Sequence, residues 1–402
     1  MLEGVRVLDL SQVIAGPVCT RLMAEMGADV VKVELAPGGD HGRSLPSIRQ
    51  GRSAYFAQHN QGKRGVCVDP RHPATPGILR KLVAGADVLI ENFSPGAIGR
   101  LGLDWDTVHA INPRTVMCSI SAFGQTGPLR DLPGFDYIAQ AYAGVTSMIG
   151  DPDGAPALTG LAVGDVGTGM TALAAINAAL FRRERDGRGR HIDISILDFY
   201  FHANEMSVEM ASLGDWKPHR TGSHHGAIAP MGVFAARDGY LYIVALDAMW
   251  PRVCAAMKRP DLVEDPRFAT NALRVVNRDA LIATIQDWLA GLAGRDDAVH
   301  RLEAARVPVA PVLSIEEAMN HPHMIERGTV RTIADPVLGP FKGSGNPLRF
   351  SDSPGTAPVR APFLGEHNRD VLRSLAGFAD AEIDALERDG ALVAEALPPG
   401  SR

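Results

Sequence analysis

Short β-branched runs alternate with segments of helical periodicity through the first two hundred residues, and this alternation limits the fold more than any other feature. The run at residues 5–10 is followed by a helical pattern at 17–26 and by a second run at 29–34. Parallel strands need such crossover segments, so the pattern predicts an α/β fold with a parallel sheet. Further strands are predicted at residues 65–68, 87–91, 115–121 and 191–196.

The remaining sequence predicts a second, smaller domain. The 402 residues, 46% of them hydrophobic and 21% charged, suffice for two hydrophobic cores. Near residue 200 the residue composition changes, and a stretch rich in Gly, His, Pro and Arg precedes a predicted strand at 239–245. Residues 306–312 indicate a return of the chain to the first domain. We therefore predict a large domain over 1–200 and 311–402, ending in a C-terminal arm, and a small α+β domain with its linkers over 201–310.

Charge, cysteine content and hydropathy limit the possible partners. The formal net charge is -6, which leaves no excess of cations to neutralise a nucleic-acid backbone. The four cysteines show no Cys-x-x-Cys spacing, and this favours reduced thiols over disulfides or a zinc knuckle. The N-terminus lacks a signal-peptide pattern, and no run approaches the roughly 20 apolar residues that cross a bilayer. We predict a soluble, cytoplasmic protein that binds neither nucleic acid nor membrane.

Common catalytic motifs are missing from the sequence. The first strand is followed by Ser-Gln-Val-Ile-Ala-Gly-Pro, without the Gly-x-Gly-x-x-Gly of dinucleotide-binding folds. The sequence also has no Walker A motif, no Gly-x-Ser-x-Gly and no His-Glu-x-x-His. His219, His224 and His225 lie close together, but no Cys or acidic residue stands at ligand spacing. We predict no metal site and no permanently bound cofactor.

One carboxylate stands among four glycines, in the segment Gly160-Leu-Ala-Val-Gly-Asp165-Val-Gly-Thr-Gly169 before a helical pattern at 168–184. We interpret the segment as a glycine-spaced turn leading into that helix. Free N–H groups at the helix start would keep Asp165 ionised, with its pKa near or below the usual value of about 3.9. An ionised carboxylate can act as a nucleophile. From this segment alone, N-capping of the helix is the more common role for such an aspartate.

Basic residues near predicted strand ends are candidates for binding phosphate groups. Arg and Lys side chains bind phosphates through charge-assisted hydrogen bonds, although each could equally belong to a solvated face. The candidates are Arg43, Lys63, Arg64, Arg71 and Arg100.

Several blocks, taken in order, resemble one enzyme family over nearly the whole chain. They are Ala15-Gly-Pro17, residues 27–34, 60–69 and 91–97 with Arg100, Gly164-Asp165 with Gly169, residues 187–193, Trp250-Pro251, and Leu364-Gly-Glu-His367. In this order they resemble the family III CoA-transferases, which include formyl-CoA transferase and the carnitine CoA-transferases, and whose relatives include the α-methylacyl-CoA racemases.

The resemblance implies a mechanism and a fold. Asp165 would attack an acyl-CoA thioester to form a mixed anhydride, and the CoA thiolate would then form an aspartyl thioester that an incoming carboxylic acid resolves. N–H groups around Asp165 would hold the oxyanion. The family fold implies a Rossmann-like large domain built from both chain ends, a smaller domain between them, and an interlocked homodimer.

The same resemblance assigns contacts to coenzyme A, which is a substrate here as its thioester. The matching positions are Val13, Ala15, Val68, Arg71, Asn92, Phe93 and Arg100, with Asp136 as a further acid near Asp165.

Departures from the family pattern bear on the substrate. Ile14 stands where formyl-CoA transferase has a glutamine, Leu35 where it has an arginine, and residues 220–226 lack its tetraglycine. These differences argue against formyl-CoA and oxalate. A small dicarboxylate such as succinate as donor is suggested by Arg43 and Arg220.

Two alternative functions remain on the same fold. An α-methylacyl-CoA racemase-like isomerase would need a basic histidine, but Phe135 occupies that position and cannot accept a proton. A non-catalytic protein that binds CoA esters is the second alternative, and the intact Asp165 argues against it.

Overall fold

The computed structural model describes residues 1–204, 206–214, 216–352 and 360–398. The chain forms two compact units. The first comprises Met1–Ala143, Leu161–Glu205 and Pro322–Arg402, and the second comprises Gly144–Gly160 and Met206–His321.

Strands and helices alternate along the described residues. The strands are β1 Arg6–Asp9, β2 Asp29–Leu35, β3 Ile48–Arg49, β4 Arg52–Ser53, β5 Arg64–Val68, β6 Val88–Glu91, β7 Val116–Ser121, β8 His191–Ser195, β9 Met231–Ala236, β10 Gly239–Val244, β11 Val309–Pro311, β12 Val330–Asp335 and β13 Gly339–Ser344. The helices are α1 Ala15–Glu25, α2 Ala54–His59, α3 Thr75–Ala84, α4 Trp105–Ile111, α5 Asp136–Tyr142, α6 Val163–Asp186, α7 Ile196–His202, α8 Ser207–Leu213, α9 Trp250–Ala256, α10 Asn271–Val276, α11 Arg278–Ala290, α12 Arg295–Ala304, α13 Ile315–Asn320, α14 Pro322–Glu326, α15 Asn368–Ser374 and α16 Asp380–Arg388.

A six-stranded parallel sheet is the centre of the first unit. Its strand order is β5-β2-β1-β6-β7-β8, and every neighbouring pair is parallel. Counting only these strands along the chain, the order is 3-2-1-4-5-6, as in Rossmann-type sheets. The predicted α/β class with a parallel sheet is confirmed. In such sheets ligands bind at the carboxyl ends of the strands where the order reverses, here between β1 and β6.

Helices cover both faces of this sheet. On one face α1 and α6 bury Leu22, Met23 and Ile176 against the strands. On the other face α3 packs with the C-terminal helices α15 and α16. The sheet strands therefore have apolar residues on both faces, as buried parallel strands require.

Helix α6 begins earlier than the sequence predicts. It starts at Val163, so Gly164, Gly167 and Gly169 lie inside the helix and not in a turn before it. The predicted glycine-spaced turn is therefore wrong over these residues, and the reason lies in the helix contacts described below.

Among the residues that the structure describes, one helix, α6, is long and apolar enough to cross a membrane by length and composition, which the sequence does not predict. Ala172, Leu173 and Ile176 of α6 are buried in the core that it shares with α1, which is the environment of a core helix.

The second unit contains a three-stranded antiparallel sheet in the order β11-β10-β9. Its core includes Phe234, Leu241 and Trp250. Strand β11 pairs with β10, because Leu241 faces Pro311 and Ile243 faces Val309. The predicted return of residues 306–312 to the large domain is therefore wrong.

Candidate active site

A cavity of about 300 Å³ opens at the carboxyl ends of the central strands, where the strand order reverses. The turn after β1, the turn after β6, the ends of β7 and β8, and the first turn of α6 form its walls. Its lining residues are Gln12, Val13, Ile14, Ala15, His41, Asn92, Phe93, Ser94, Ile120, Ser121, Ala122, Phe135, Asp165 and Ile196.

Asp165 is the third residue of α6 and lines this cavity. Its backbone N–H donates a hydrogen bond of 2.7 Å to Oδ2 of Asp136. First-turn N–H groups have no partner inside their helix, so Asp136 supplies the missing acceptor. Ala162 occupies the N-cap position and makes no side-chain cap. Asp165 is therefore not the cap of this helix, and its carboxylate is not used for capping.

Close packing explains the glycines around Asp165. A Cβ on Gly164 would lie 2.2 Å from the Tyr200 ring, and one on Gly167 would lie 1.9 Å from the Phe199 ring. A Cβ on Gly169 would lie 2.4 Å from the carbonyl oxygen of Ala15. Such distances are far below van der Waals contact, so any larger residue would force the neighbouring elements apart. The glycines thus let α7 and the start of α1 approach α6.

The carboxyl group of Asp165 is more basic than the sequence analysis predicts. Burial raises the pKa of Asp165 to about 7, and the nearby charge of Asp136 acts in the same direction. Among the described residues no donor hydrogen-bonds the Asp165 carboxylate. The predicted pKa near or below 3.9 is therefore wrong, because desolvation and a like charge outweigh the field of the helix N-terminus.

Tyr200 and Gln140 complete the environment of Asp136. The Tyr200 hydroxyl donates to Oδ1 of Asp136 at 2.6 Å, and Nε2 of Gln140 donates to the Tyr200 oxygen at 3.1 Å. Asp136, Tyr200 and Gln140 are all buried. The expected acid near Asp165 is present, but Asp136 supports the helix start and does not line the cavity.

Two N–H groups next to Asp165 are already engaged. The Asp165 N–H donates to Asp136 at 2.7 Å, and the Val166 N–H donates to the Ala162 carbonyl at 3.1 Å. That N–H groups around Asp165 hold an oxyanion stays a prediction. Ala15, the first residue of α1, also lines this cavity, and its N–H has no hydrogen-bond partner among the described residues.

The structure brings together part of the predicted CoA-binding set. Val13, Ala15, Asn92 and Phe93 line the same cavity as Asp165. Asn92 also fixes the turn after β1, because its Oδ1 accepts from the Gln12 N–H at 2.7 Å and its Nδ2 donates to the Gln12 carbonyl at 2.8 Å.

Three predicted CoA contacts lie away from this cavity. Val68 is fully buried, its carbonyl accepts from the Ala36 N–H, and it bridges to Leu392. Arg71 is exposed and pairs with Asp69 at 3.2 Å. Arg100 is exposed in the turn after β6. Their role in CoA binding stays a prediction.

Three other cationic candidates serve the fold of the unit. Arg43 forms two hydrogen bonds with Glu34, Arg64 binds Asp29 and Asp370, and Lys63 is fully buried against an aspartate. Lys63 is inaccessible to a phosphate, so its interpretation as a phosphate contact is wrong. The suggestion that Arg43 selects a dicarboxylate loses its basis, because Glu34 already neutralises this cation.

Sequence reasoning missed some residues of the site. His41 lines the cavity but belongs to no recognisable motif, and Ser94 lines it too, although within the block 91–97 only Asn92 and Phe93 are predicted as contacts. The charge of Asp165 also acts on Tyr55. Burial is the main cause that raises the pKa of the Tyr55 phenol, and the charges of Asp165 and Asp40 raise it further. Only the three-dimensional fold brings His41 and Ser94 to the cavity of Asp165 and Tyr55 within the influence of its charge.

Comparison with known proteins identifies the family. Residues 2–368 match the model of CoA-transferase family III. The formyl-CoA:oxalate CoA-transferase of Rhodopseudomonas palustris (strain BisA53) is 32% identical over 97% of both chains. That of Streptomyces avermitilis is 34% identical and covers 97% of this chain and 99% of the relative.

Solved structures agree with the sequence comparison. A CAIB/BAIF family protein from Brucella suis superposes with a TM-score of 0.82 at 34% identity, covering 93% of this chain and 98% of that one. Rv3272 from Mycobacterium tuberculosis has a TM-score of 0.80 at 28% identity, with 91% and 97% covered. With the cavity and its carboxylate in place at the strand ends, these likenesses show that the chain belongs to CoA-transferase family III and is a CoA-transferase.

Proposed function

We propose that this protein is an acyl-CoA:carboxylate CoA-transferase in which Asp165 is the nucleophile. One observation carries the proposal. The Asp165 carboxylate lines a cavity at the strand ends of an α/β sheet, and none of the described residues donates a hydrogen bond to it. A group with a pKa of about 7 is substantially ionised at neutral pH and is more basic than an ordinary aspartate, and both properties favour attack on a thioester.

The reaction takes place in two covalent halves. The Asp165 carboxylate attacks the thioester carbonyl, the C–S bond breaks, and a mixed anhydride and CoA thiolate form. The thiolate attacks the aspartyl carbonyl of the anhydride, which releases the donor acid as its carboxylate and leaves an aspartyl-CoA thioester. The acceptor carboxylate attacks this thioester, and the released thiolate then attacks the acceptor acyl carbonyl and regenerates Asp165. Every electrophile in this sequence is activated, so no free carboxylate has to be attacked.

The start of α1, which lines the same cavity as Asp165, suits the developing negative charge. Ala15 begins the 11-residue helix α1, and its N–H has no protein acceptor among the described residues. Free N–H groups at a helix start stabilise anions, and a lost oxyanion donor typically costs about 3 kcal/mol of transition-state stabilisation. We assign an oxyanion contact to Ala15, because the N–H groups of Asp165 and Val166 already have acceptors.

Two cavity residues bear on the choice of reaction and substrate. Phe135 lines the cavity with 79% of its surface exposed. It supplies no base for racemisation, so the transferase reaction is favoured over the isomerase. Ile14 also lines the cavity and makes this wall apolar. We propose a donor other than formyl-CoA and an acceptor other than oxalate, although the relatives compared above are named for that pair.

We also propose a homodimer that works in the cytoplasm. Large apolar side chains are exposed on the neighbouring helices α5, α6 and α7, and a second copy of the chain would cover them. They are Phe135, Ile138, Tyr142, Val163, Val166, Phe181 and Phe201. The interlocked arrangement rests on the family resemblance. The four cysteines are free and buried, which suits a reducing compartment.

Intact-protein mass spectrometry tests the nucleophile. Wild-type protein incubated with succinyl-CoA and several other acyl-CoAs should gain a CoA adduct on Asp165 that hydroxylamine removes. Asp165→Ala should gain none. Asp198→Asn, which changes an exposed carboxylate on the neighbouring α7, is the matched control and should react like the wild type. No adduct with any acyl-CoA, together with exchange of the α-proton for solvent deuterium, would refute the transferase mechanism in favour of the isomerase.

A further inference from the structure

The turn after β1 forms one wall of the cavity in a strained conformation. Val13 has a φ of +67°, in the left-handed region where β-branched residues are rare outliers. Such a backbone persists only when its surroundings hold it, and it is often found at functional sites. Gln12, Val13, Ile14 and Ala15 all line the cavity, so whatever holds Val13 also shapes the cavity that Asp165 lines.

Two distant side chains hold this turn. Asn92 makes the two hydrogen bonds to Gln12 described above. Asp40 holds the next residue, since its Oδ1 accepts from the Val13 N–H at 3.0 Å and also from the Gly42 N–H at 2.8 Å. The backbone conformation of Val13 is therefore set by a carboxylate 27 residues away in the chain.

Lys32 fixes Asp40 in turn. Its Nζ lies 2.8 Å from Oδ2 of Asp40 and also donates to the carbonyl of Ser11, the residue before the turn. The side chains of Lys32 and Asp40 are each only 1% exposed. A charge pair so deeply buried costs desolvation and contributes little net stability, which leaves room for a role in positioning.

We propose that Asp40 is a positioning residue for acyl transfer, because it holds Val13 in its left-handed conformation and so keeps Ile14 and Ala15 in place in the cavity that they share with Asp165. The inference rests on the proposed function and deepens it. Ala15 also packs directly on the turn of α6 after Asp165, since its carbonyl oxygen lies 2.4 Å from where a Cβ on Gly169 would be. A shift of the turn would therefore displace Ala15 relative to Asp165.

Asp40 also has a purely structural task. It caps the short helical turn His41–Ser44 through the Gly42 N–H. A useful test must separate the loss of this cap from the loss of the hydrogen bond to Val13.

The test removes Lys32 and Asp40 together, because the neighbouring buried charges then still balance one another. The neighbouring pairs are Asp9 with Lys63 at 2.9 Å and Glu34 with Arg43 at 2.6 Å. In a Lys32→Met background, Asp40→Asn keeps an oxygen acceptor for Val13, whereas Asp40→Leu has similar volume and none. The two double variants therefore differ in the acceptor and leave no unpaired charge. Lys32 also acts on Asp9, and this loss is common to both double variants, so it cancels when they are compared.

We measure the rate constant for CoA adduct formation at saturating acyl-CoA, the KM, and the urea midpoint of each protein. We expect the rate constant for adduct formation in the Asn variant to stay within about fivefold of wild type. In the Leu variant it should fall more than about tenfold below wild type, with KM nearly unchanged, because displacement of Ala15 by a fraction of an ångström slows the chemical step. Hydrogen exchange of the peptide containing residues 11–15 should be faster in the Leu variant.

Val13→Gly provides the decisive rescue. Glycine adopts positive φ without strain. Adding Val13→Gly to the Leu variant should therefore raise its rate constant for CoA adduct formation at least about threefold. Loss of the cap on Gly42 predicts no such rescue. This comparison remains informative if the Leu variant is destabilised, since Val13→Gly does not replace the cap.

The outcomes separate the two proposals. No adduct on the wild-type protein overturns the proposed function and the assignment of Asp40 with it. An adduct that forms equally fast in the Asn and Leu variants, or a Leu variant that Val13→Gly does not rescue, overturns the assignment of Asp40 alone.

Discussion

Replacing Asp165 with Asn should stabilise the folded protein at high pH, even though it removes the proposed nucleophile. The pKa of Asp165 is about 7 in the folded state and about 3.8 without its surroundings. Between these values the folded state binds more protons than the unfolded state, so its stability falls as pH rises. With 1.36 kcal/mol for each pKa unit, the cost of ionising Asp165 grows from about 2 kcal/mol at pH 5 to about 4 kcal/mol at pH 8.

Asn cannot ionise, so the variant escapes this cost. The free energy of unfolding of Asp165→Asn minus that of the wild type should rise by about 2 to 3 kcal/mol between pH 5 and pH 8. Any packing effect of the amide is the same at every pH and cancels in this comparison. The measurement is urea unfolding at pH 5, 6, 7 and 8 at one protein concentration. Asp198→Asn, on the surface of α7, should give a difference that does not change with pH.

A flat difference between Asp165→Asn and wild type across this range would refute the electrostatic reasoning. It would mean that Asp165 ionises like an exposed aspartate, and that the cavity supplies donors or water that offset its burial. The argument for an unusually basic nucleophile would then fail, although attack by an ordinary carboxylate would remain.

Three further predictions test other contacts. Asp136→Asn should move the acidic limb of the pH profile of kcat/KM to lower pH, because the like charge that raises the pKa of Asp165 is lost; an unchanged limb would argue for burial alone. Gly169→Ala should lower the free energy of unfolding by about 1 to 3 kcal/mol and slow CoA adduct formation, because its methyl group meets the Ala15 carbonyl, whereas Gly77→Ala, which has open space, should be tolerated in both assays. Lys63→Met should cost about 3 to 5 kcal/mol in urea unfolding, because it leaves Asp9 buried without its direct partner; a loss below about 1 kcal/mol would show that Lys32 alone suffices for Asp9.

The parallel sheet and part of the site could be predicted because they depend on local pattern. Alternating strands and helices fix the direction of the strands, and parallel strands bring their carboxyl ends to one edge. Residues that follow β1 and β6, such as Ala15 and Asn92, therefore meet at that edge although they are far apart in the chain. This is why motif positions in these two turns line one cavity with Asp165.

The role of each glycine and each charge could not be predicted, because it depends on a distant neighbour. Glycine is equally suited to a turn and to a close helix contact, and only Tyr200 and Phe199 show that Gly164 and Gly167 serve the second purpose. Similarly, a lysine such as Lys63 could bind a phosphate, and only its buried ion pair with Asp9 shows that it serves the fold.

At the start of α6 two aspartates have different roles: Asp136 accepts a hydrogen bond from the first turn of the helix, and Asp165 lines the cavity. A helix N-terminus offers N–H groups that would lower the pKa of a carboxylate bound to them. Here Asp136 takes the N–H of Asp165, and its own charge acts on Asp165 at close range. The acid that accepts the hydrogen bonds is thus not the acid that faces the cavity. If Asp165 had capped its own helix, its carboxylate would be weakly basic and already hydrogen-bonded, and it would be a poor nucleophile for a thioester.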